Sequence, residues 1–303
     1  MKILLTGASG FVGQNISPIL KERYGHVECL TSSSDLRKIK NCERILNNAH
    51  YDAVVHLAGS VGGIAANQKN PGKFLNDNLI MGINLINSCI SHGYPKFIMT
   101  GTVCSYPKFT PVPFKESDLW NGYPEETNAP YGIAKKTLIE MLIAYKEQYG
   151  LESSSLIPAN MYGPHDHFNL TTSHVIPAII LKVHRALQNR SKSITIWGDG
   201  TASREFLHAK DLGLAIIKAI ETDTGPQPIN IGTGVETKIS DLVELICSIM
   251  GYGGDIVYDK DKPNGQPRRS LDISNAKRML DFEPSVSLED GLRETILWYK
   301  QNA

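Results

Sequence analysis

Tyr131 and Lys135 stand four residues apart in a stretch that reads as helix, and upstream of them Thr100-Gly101-Thr102 closes a short apolar run. Residues four apart on a helix lie one above the other, so the phenol and the ammonium can face a common pocket. An unperturbed tyrosine ionises near pH ~10 and is a poor acid or base at neutral pH, but an adjacent positive charge favours its phenolate. The spacing therefore predicts a Tyr131 phenol whose pKa is lowered by Lys135. Alone, the pair is a pattern that any helix can carry. Its context sharpens it. The stretch from Met1 to Thr6, apolar except for Lys2, runs into Gly7-Ala8-Ser9-Gly10-Phe11-Val12-Gly13 and then into helix-like sequence to about Arg23. A strand, a glycine turn and a helix in that order suit a dinucleotide. The glycines permit a tight turn and a close approach of backbone to pyrophosphate, and the helix N-terminus offers free N–H groups to the anion. Together these features imply redox chemistry by a bound nicotinamide cofactor.

Positioning such residues requires strands and helices in alternation. Short runs near Lys2 to Leu5, His26 to Leu30, Ala53 to Leu57, Lys96 to Met99 and Ser154 to Ile157 read as strands. Pro71 to Ser91 and Pro130 to Tyr149 read as long helices, each opened by a proline that a helix start tolerates. The alternation predicts an α/β fold with a doubly wound parallel sheet of the Rossmann type. Ligands of such sheets lie beyond the carboxyl ends of the strands, where Gly7, Gly59, Thr102 and Asn160 all fall. After Tyr162-Gly163-Pro164 the rhythm loosens, and Phe206 to Ile231 reads as a helix and strand returning to the large sheet. The expected organisation is a dinucleotide-binding domain of residues 1–163 and 204–232, with a smaller α/β substrate-binding domain of residues 164–203 and 233–303.

The 303 residues carry 31 basic and 31 acidic side chains. That balance supplies no long-range field toward nucleic acid or anionic membrane, so neither is an expected partner. No apolar run approaches the ~20 residues of a membrane helix, and the amino terminus enters a strand at once, so a cytoplasmic protein is expected. The cysteines Cys29, Cys42, Cys89, Cys104 and Cys247 are widely spaced with no Cys-x-x-Cys pair, which argues against disulfides and zinc. His165 and His167 flank Asp166, yet no further ligand cluster accompanies them, and no metal is assigned. The glycosylation patterns at Asn15 and Asn169 carry no weight in a chain expected to stay inside the cell.

In Thr6 to Gly13, in His56-Leu-Ala-Gly59 and in the Tyr131/Lys135 pair, the chain resembles the extended short-chain dehydrogenases that act on nucleotide sugars. More particular segments are Val61-Gly-Gly-Ile64, Cys104-Ser-Tyr-Pro107, Asn160-Met-Tyr-Gly-Pro-His-Asp166, Ser173-His-Val-Ile-Pro177, Arg204-Glu-Phe-Leu-His208, Asn230-Ile-Gly-Thr-Gly234 and Lys262-Pro-Asn-Gly-Gln-Pro-Arg268. These look like the GDP-L-fucose synthase branch of that family, whose members epimerise GDP-4-keto-6-deoxymannose at C3 and C5 and reduce its 4-ketone. The resemblance implies a GDP-sugar substrate and a homodimer paired through the two long helices. It also implies catalytic roles for Thr102, Cys104, Tyr131, Lys135 and His174.

The chemistry suits these residue types. A ketone at C4 acidifies the hydrogens on both neighbouring carbons, because the carbanion delocalises into an enolate, and a site that stabilises this oxyanion promotes both epimerisations. Thr102 and Tyr131 would donate hydrogen bonds to that oxygen, Lys135 would hold the nicotinamide ribose, and Tyr131 would protonate the alkoxide left by hydride delivery. Cys104 and His174 would exchange protons with carbon. Without the resemblance, Cys104 reads as a small buried hydrophobe and His174 as a solvated loop residue.

The cofactor contacts implied by the resemblance are Gly7, Ser9, Gly10, Phe11, Val12, Gly13, Ser32, Asp35, Leu36, Leu57, Ala58, Gly59, Tyr131, Lys135, Pro158, Asn160, Met161 and His174. The substrate contacts are Asn160, Lys182, Trp197, Arg204 and Arg269, the planar fork of arginine suiting a diphosphate. Thr102 stands where serine is common in the family, and Lys182 where arginine is common. No acidic residue ends the second strand; Thr31-Ser32-Ser33-Ser34 supplies hydroxyls there, with Arg37 and Lys38 a little further on. NADP(H) is therefore favoured, with NAD(H) the alternative. Two other readings remain open at this point: a related nucleotide-sugar reductase or epimerase, such as a GDP-colitose synthase or a 4-epimerase, and a non-catalytic cofactor-sensing module, which would have no use for these acid–base residues.

Overall fold

The computed structural model describes residues 1–93, 95–170, 172–262 and 266–303, with Ile64 and Ala65 described by backbone alone. Pro263, Asn264 and Gly265 of the Lys262–Arg268 segment, and Thr171 of the Asn169 pattern, lie outside the described residues.

Ile3, Leu4 and Leu5 lie wholly buried in β1 (Lys2–Thr6), and the glycine turn then leads into α1 (Phe11–Tyr24). The alternation continues through β2 (His26–Leu30), α2 (Ile39–Asn47), β3 (Ala53–His56), α3 (Ile64–Lys69), α4 (Pro71–Ser91), β4 (Lys96–Thr100), α5 (Ala129–Tyr149) and β5 (Ser153–Pro158). Both long helices start where expected, with proline in the first turn, where a backbone N–H has no helical acceptor to lose. They pack on each other so closely that a β-carbon at Gly82 would lie 2.3 Å from Leu138 Cδ1.

The second half comprises β6 (Asn160–Tyr162), α6 (Val175–Gln188), β7 (Ser193–Trp197), β8 (Ser203–His208), α7 (Ala209–Glu221), β9 (Pro228–Ile231), β10 (Glu236–Lys238), α8 (Ile239–Met250), β11 (Asp255–Asp259), α9 (Ser274–Leu280) and α10 (Leu288–Asn302).

Six strands form one parallel sheet in the order β2-β1-β3-β4-β5-β9. β3, β5 and β9 are buried at every residue, as a parallel sheet covered on both faces requires. Strand order reverses at β1, which has β2 on one side and β3 on the other. That reversal opens a crevice at the carboxyl ends, where Gly7, Gly59 and Thr102 follow their strands. The Phe206–Ile231 stretch contains the expected helix and strand, and β9 returns to the large sheet beside β5. Phe206 to His208 differ. They belong to β8, which pairs antiparallel with β10 and parallel with β6 in a separate three-stranded sheet. β7 and β11 form a third, two-stranded parallel sheet.

Two apolar cores follow the sheets only in part, since β8 gives Leu207 to the larger and Phe206 to the smaller. The larger fills the six-stranded sheet; the smaller joins Ile176, Ile180 and Val183 of α6 to Leu242 and Ile246 of α8 and Leu292 of α10. Among the described residues, no helix is long and apolar enough to cross a membrane.

Candidate active site

At two positions of the glycine turn no other residue fits. Gly7 has φ +71, and a β-carbon there would lie 2.7 Å from Ala58 N, while one at Gly13 would lie 2.1 Å from Gly7 O. Thr6 ties the ends of β1 and β3 together: its Oγ1 accepts from Ala58 N at 3.2 Å and bonds His56 Nδ1 at 2.9 Å. Gly10 caps α1 without a side-chain hydrogen bond, so the amides of the first turn keep their capacity for an anion. Phe11 and Val12 are half-buried in that turn, and Gln14 donates to the carbonyl of exposed Ser9 at 3.1 Å. Beyond β3, half-buried Leu57 and Ala58 lead to exposed Gly59, and Asn78 of α4 braces this strand end by bonding both the N–H and the C=O of Ser60. These features fit a dinucleotide whose pyrophosphate meets the start of α1.

The end expected to hold adenosine departs from expectation. Ser32 is exposed as a donor should be, but Asp35 pairs with Arg37 at 2.9 Å, and Arg37 also reaches Asp77 of α4 at 3.4 Å. Leu36 is buried in the large core, its carbonyl accepting from Asn84. The two basic residues noted in the sequence are thus not equivalent, since Arg37 is already engaged by two carboxylates.

Thr102 follows β4 and caps a single 3-10 turn, Val103 to Ser105, by accepting from Cys104 N at 3.2 Å. That turn lies hard against α5: a β-carbon at Gly132 would lie 2.3 Å from Cys104 O, and Ser105 Oγ donates to Gly132 O at 2.9 Å. Tyr131, next to Gly132, is thereby set beside Thr102 and Cys104, near enough for the Thr102 hydroxyl to act on its phenol.

The expected electrostatics are reversed. Burial, and secondarily the negative charge Cys104 can carry, push the Tyr131 phenol well above its ordinary range, with the Thr102 hydroxyl opposing them. Lys135 does not offset this. It is buried, and burial lowers its own pKa to about 8. Spacing along a helix places two groups on one face, but the desolvation that dominates here depends on what packs around them. Buried His56, behind this pair, is pushed down to about 3 by burial and then by Lys135.

Two arginines approach Cys104 from the other half of the chain. Arg269 Nη1 lies 3.7 Å from Cys104 Sγ. Arg204 is lowered to about 10 by burial and then by Arg269, with Cys104 opposing. Asn160 joins them by donating to Glu205 O at 2.8 Å, and neighbouring Met161 is half-buried, while Pro158 is buried at the end of β5.

Lys182 and Trp197 form a separate place. Lys182 Nζ donates to Thr195 O at 2.8 Å and sits 5.6 Å from the Trp197 ring centre, with Lys262 at 5.8 Å. Lys182 and Trp197, together with Arg185 and Leu170, line an open groove of about 360 Å³. His174 caps the start of α6 with an exposed side chain, and its pKa is lowered by the protein mass around it and then by His167. The contacts joining Thr102, Tyr131, Cys104, Arg269 and Arg204 do not extend to His174.

Two further buried carboxylates bear on the site, and neither is assigned a role in it from sequence. Glu205 is almost wholly buried and accepts from Thr233 N, Gly234 N, Leu271 N and Ser270 Oγ, binding the strand of Arg204 to the segment of Arg269. Its only local sign is an acidic residue in a strand buried at nearly every position. Asp166, also buried, accepts from His167 N at 2.7 Å through Oδ1, while its Oδ2 has no partner among the described residues. Burial raises it to about 7, with the His167 N–H opposing.

Comparison with known proteins gives consistent matches. The NAD dependent epimerase/dehydratase family matches residues 3–232. A GDP-L-fucose synthase from Escherichia coli (strain K12) is 36% identical over 313 residues, covering 99% of this chain and 97% of that protein. A GDP-L-colitose synthase from Yersinia pseudotuberculosis is 38% identical over 304 residues, covering 99% and 98%. Among solved structures, a GDP-L-fucose synthetase from Naegleria fowleri bound to NADP superposes with a TM-score of 0.91 at 28% identity, covering 99% of this chain and 92% of that one.

Proposed function

The chain belongs to the NAD dependent epimerase/dehydratase family, and from that premise we propose that it is an NADP(H)-dependent epimerase and reductase that converts GDP-4-keto-6-deoxymannose to GDP-L-fucose. The observation that carries this reading is one cluster in which Thr102, Tyr131, Cys104, Arg204 and Arg269 meet, with Thr102 at the same carboxyl-terminal edge of the large sheet as the glycine turn. The GDP-L-fucose synthase relatives and the NADP-bound neighbour support it.

The pyrophosphate of the cofactor would rest on the first turn of α1, and Lys135 would bond its nicotinamide ribose. When bound, the cofactor supplies the hydride that reduces C4. The protein's own groups do the rest. Thr102 and Tyr131 bond the C4 oxygen and so acidify C3 and C5, and Cys104 and His174 remove a proton from one face and return one to the other. Tyr131 later protonates the C4 oxygen. Its raised pKa keeps the phenol protonated, as this acid role requires. Arg204 and Arg269 bind the diphosphate, while the groove at Lys182 and Trp197 takes the nucleotide base. The division between residues 1–163 with 204–232 and residues 164–203 with 233–303 would give the cofactor to the first part, while the substrate would lie between the two, reached by Thr102, Tyr131 and Arg204 from the first and Arg269 from the second.

We further infer a cytoplasmic homodimer paired through α4 and α5, whose Leu79, Met81, Ile83, Met141 and Ile143 stay part-exposed on the monomer. Sedimentation showing only monomer would remove that pairing. The test of function is product identification by NMR from GDP-4-keto-6-deoxymannose and NADPH in heavy water. GDP-L-fucose labelled at C3 and C5 is expected; competent reduction without label would refute the epimerase half. Cys104→Ser and His174→Gln are expected to divert flux to unepimerised or partly epimerised reduced sugars. A second reading, GDP-colitose synthesis, has support from the Yersinia relative, which is as similar as the fucose synthases. Turnover of a 3-deoxy analogue in preference to the 3-hydroxy sugar would favour it.

A further inference from the structure

We propose that Arg269 is a positioning residue for proton transfer at carbon, acting through the sulfur of Cys104 as well as on a diphosphate. The inference rests on the reading of Cys104 as an acid–base group. Both partners are held by backbone. On one side, Cys104 N donates to Thr102 Oγ1 at 3.2 Å, and the Cys104 carbonyl lies where a β-carbon at Gly132 would collide with it. On the other, Arg269 Nε donates to Gln266 Oε1 at 3.1 Å, and its carbonyl accepts from Glu205 N at 3.2 Å. The two residues after it are pinned to the buried Glu205 carboxylate, Ser270 Oγ at 3.0 Å and Leu271 N at 2.7 Å. Arg268, just before it, is paired with Glu236. The guanidinium is therefore ordered before any ligand arrives, and its Nη1 meets Sγ at 3.7 Å.

The sulfur is anionic at one end of the transfer, whichever way the proton moves. Acting as base, the thiolate takes the proton and the C–H bonding pair moves into the enolate. Acting as acid, the thiol gives its proton to carbon and the S–H bonding pair stays on sulfur. A guanidinium does not lose its proton in either case, so it stabilises the anionic sulfur throughout. Arg204, coupled electrostatically to both Arg269 and Cys104, adds a second fixed positive charge. A side chain serving the diphosphate alone would influence substrate affinity and leave the reactivity of the sulfur unchanged.

Alkylation by iodoacetamide reads the thiolate without turnover. The full-length, substrate-free protein is treated at pH 7, and the peptide containing Cys104 is followed by mass spectrometry. Arg269→Met is expected to slow alkylation of Cys104 by about 5- to 10-fold, the scale of one neighbouring charge. Arg269→Lys, which keeps the charge, should recover much of the rate, and Arg269→Gln repeats the comparison with a neutral polar side chain. In heavy water, Arg269→Met should also lower kcat for deuterium incorporation more than it lowers kcat for reduction. An unchanged alkylation rate, with only a raised KM, would overturn the action on sulfur. Deuterium incorporation at the normal rate by Cys104→Ser would instead overturn the acid–base reading beneath it.

Discussion

Lys135 and Arg204 are both cations withdrawn from water, one on α5 against the six-stranded sheet and the other on β8 in the three-stranded sheet. Burial alone takes Lys135 to about 8, so a modest rise in pH discharges it. Arg204 is brought to about 10 by burial and by Arg269, and it stays charged across the neutral range. The first region has a lysine, a tyrosine and a histidine, all shifted by desolvation toward their neutral forms. The second has two arginines that repel each other and face a sulfur. A desolvated phenol that keeps its proton is suited to giving it to an alkoxide, whereas two positive charges that repel each other gain from an anion placed between them. The proposed function therefore assigns proton donation to the first region and anion holding to the second.

The largest effect expected from breaking this division is in the first region. Tyr131→Phe removes the acid and leaves the ring, and it should slow reduction by roughly 10²–10⁴-fold, the usual yield of a general acid. NADPH absorbance after addition of GDP-4-keto-6-deoxymannose measures it. A loss of less than tenfold would mean that another group or water delivers the proton. In the second region, Arg204→Met should raise KM for the sugar nucleotide roughly 10- to 100-fold, corresponding to a lost charged hydrogen bond of about 1.5–3 kcal/mol. Cofactor affinity, measured by fluorescence titration with NADPH, should hold. If affinity for NADPH fell instead, the two regions would not be separable.

Local features of the first region could be read directly from the chain. Gly7, Gly10 and Gly13 are close in sequence because one turn needs all three, and the strand and helix around them are continuous segments. Tyr131, Lys135 and Thr102 were legible for the same reason. The direction of the Tyr131 shift was not, because it depends on how completely the Cys104 turn and α5 exclude water. Arg269 and Glu205 were harder still. Their partners lie 165 and 66 residues away in sequence, and no periodicity encodes such pairings. The assignment of β8 to its own sheet escaped for a related reason: a short buried strand has the same apolar pattern in either sheet.

Lys135 offers a smaller test that separates stability from function. Below about pH 8 the folded protein carries a buried ammonium at a cost, and from there to its ordinary value of 10.5 the unfolded chain holds a proton that the folded protein has released. Stability should therefore rise with pH across that window. Lys135→Met is expected to be more stable than the natural protein at pH 7 by about 2–3 kcal/mol, and the advantage should shrink by pH 10. Urea unfolding at the two pH values measures it, while NADPH oxidation should fall. Equal stability at pH 7 would mean that water or backbone already solvates the ammonium.

Asp166 gives the smallest effect and lies outside the contacts of both regions, in the loop that leads to His174. Its carboxyl is buried, one oxygen accepts from His167 N and the other has no partner among the described residues, so the charged form is disfavoured up to about pH 7. Between the ordinary value of 3.8 and about 7 the folded protein holds a proton that the unfolded chain has lost, and stability falls as pH rises through that range. Asp166→Asn keeps the acceptor for His167 and cannot ionise, but its amide N–H groups would enter the same unpartnered space. The net gain should therefore be only about 1–2 kcal/mol at pH 8 and close to nothing at pH 4. Urea midpoints at the two pH values decide it. A loss of stability at pH 8 would show that ionised Asp166 has a strong partner in solution, and would make this loop a third charged region rather than a neutral one.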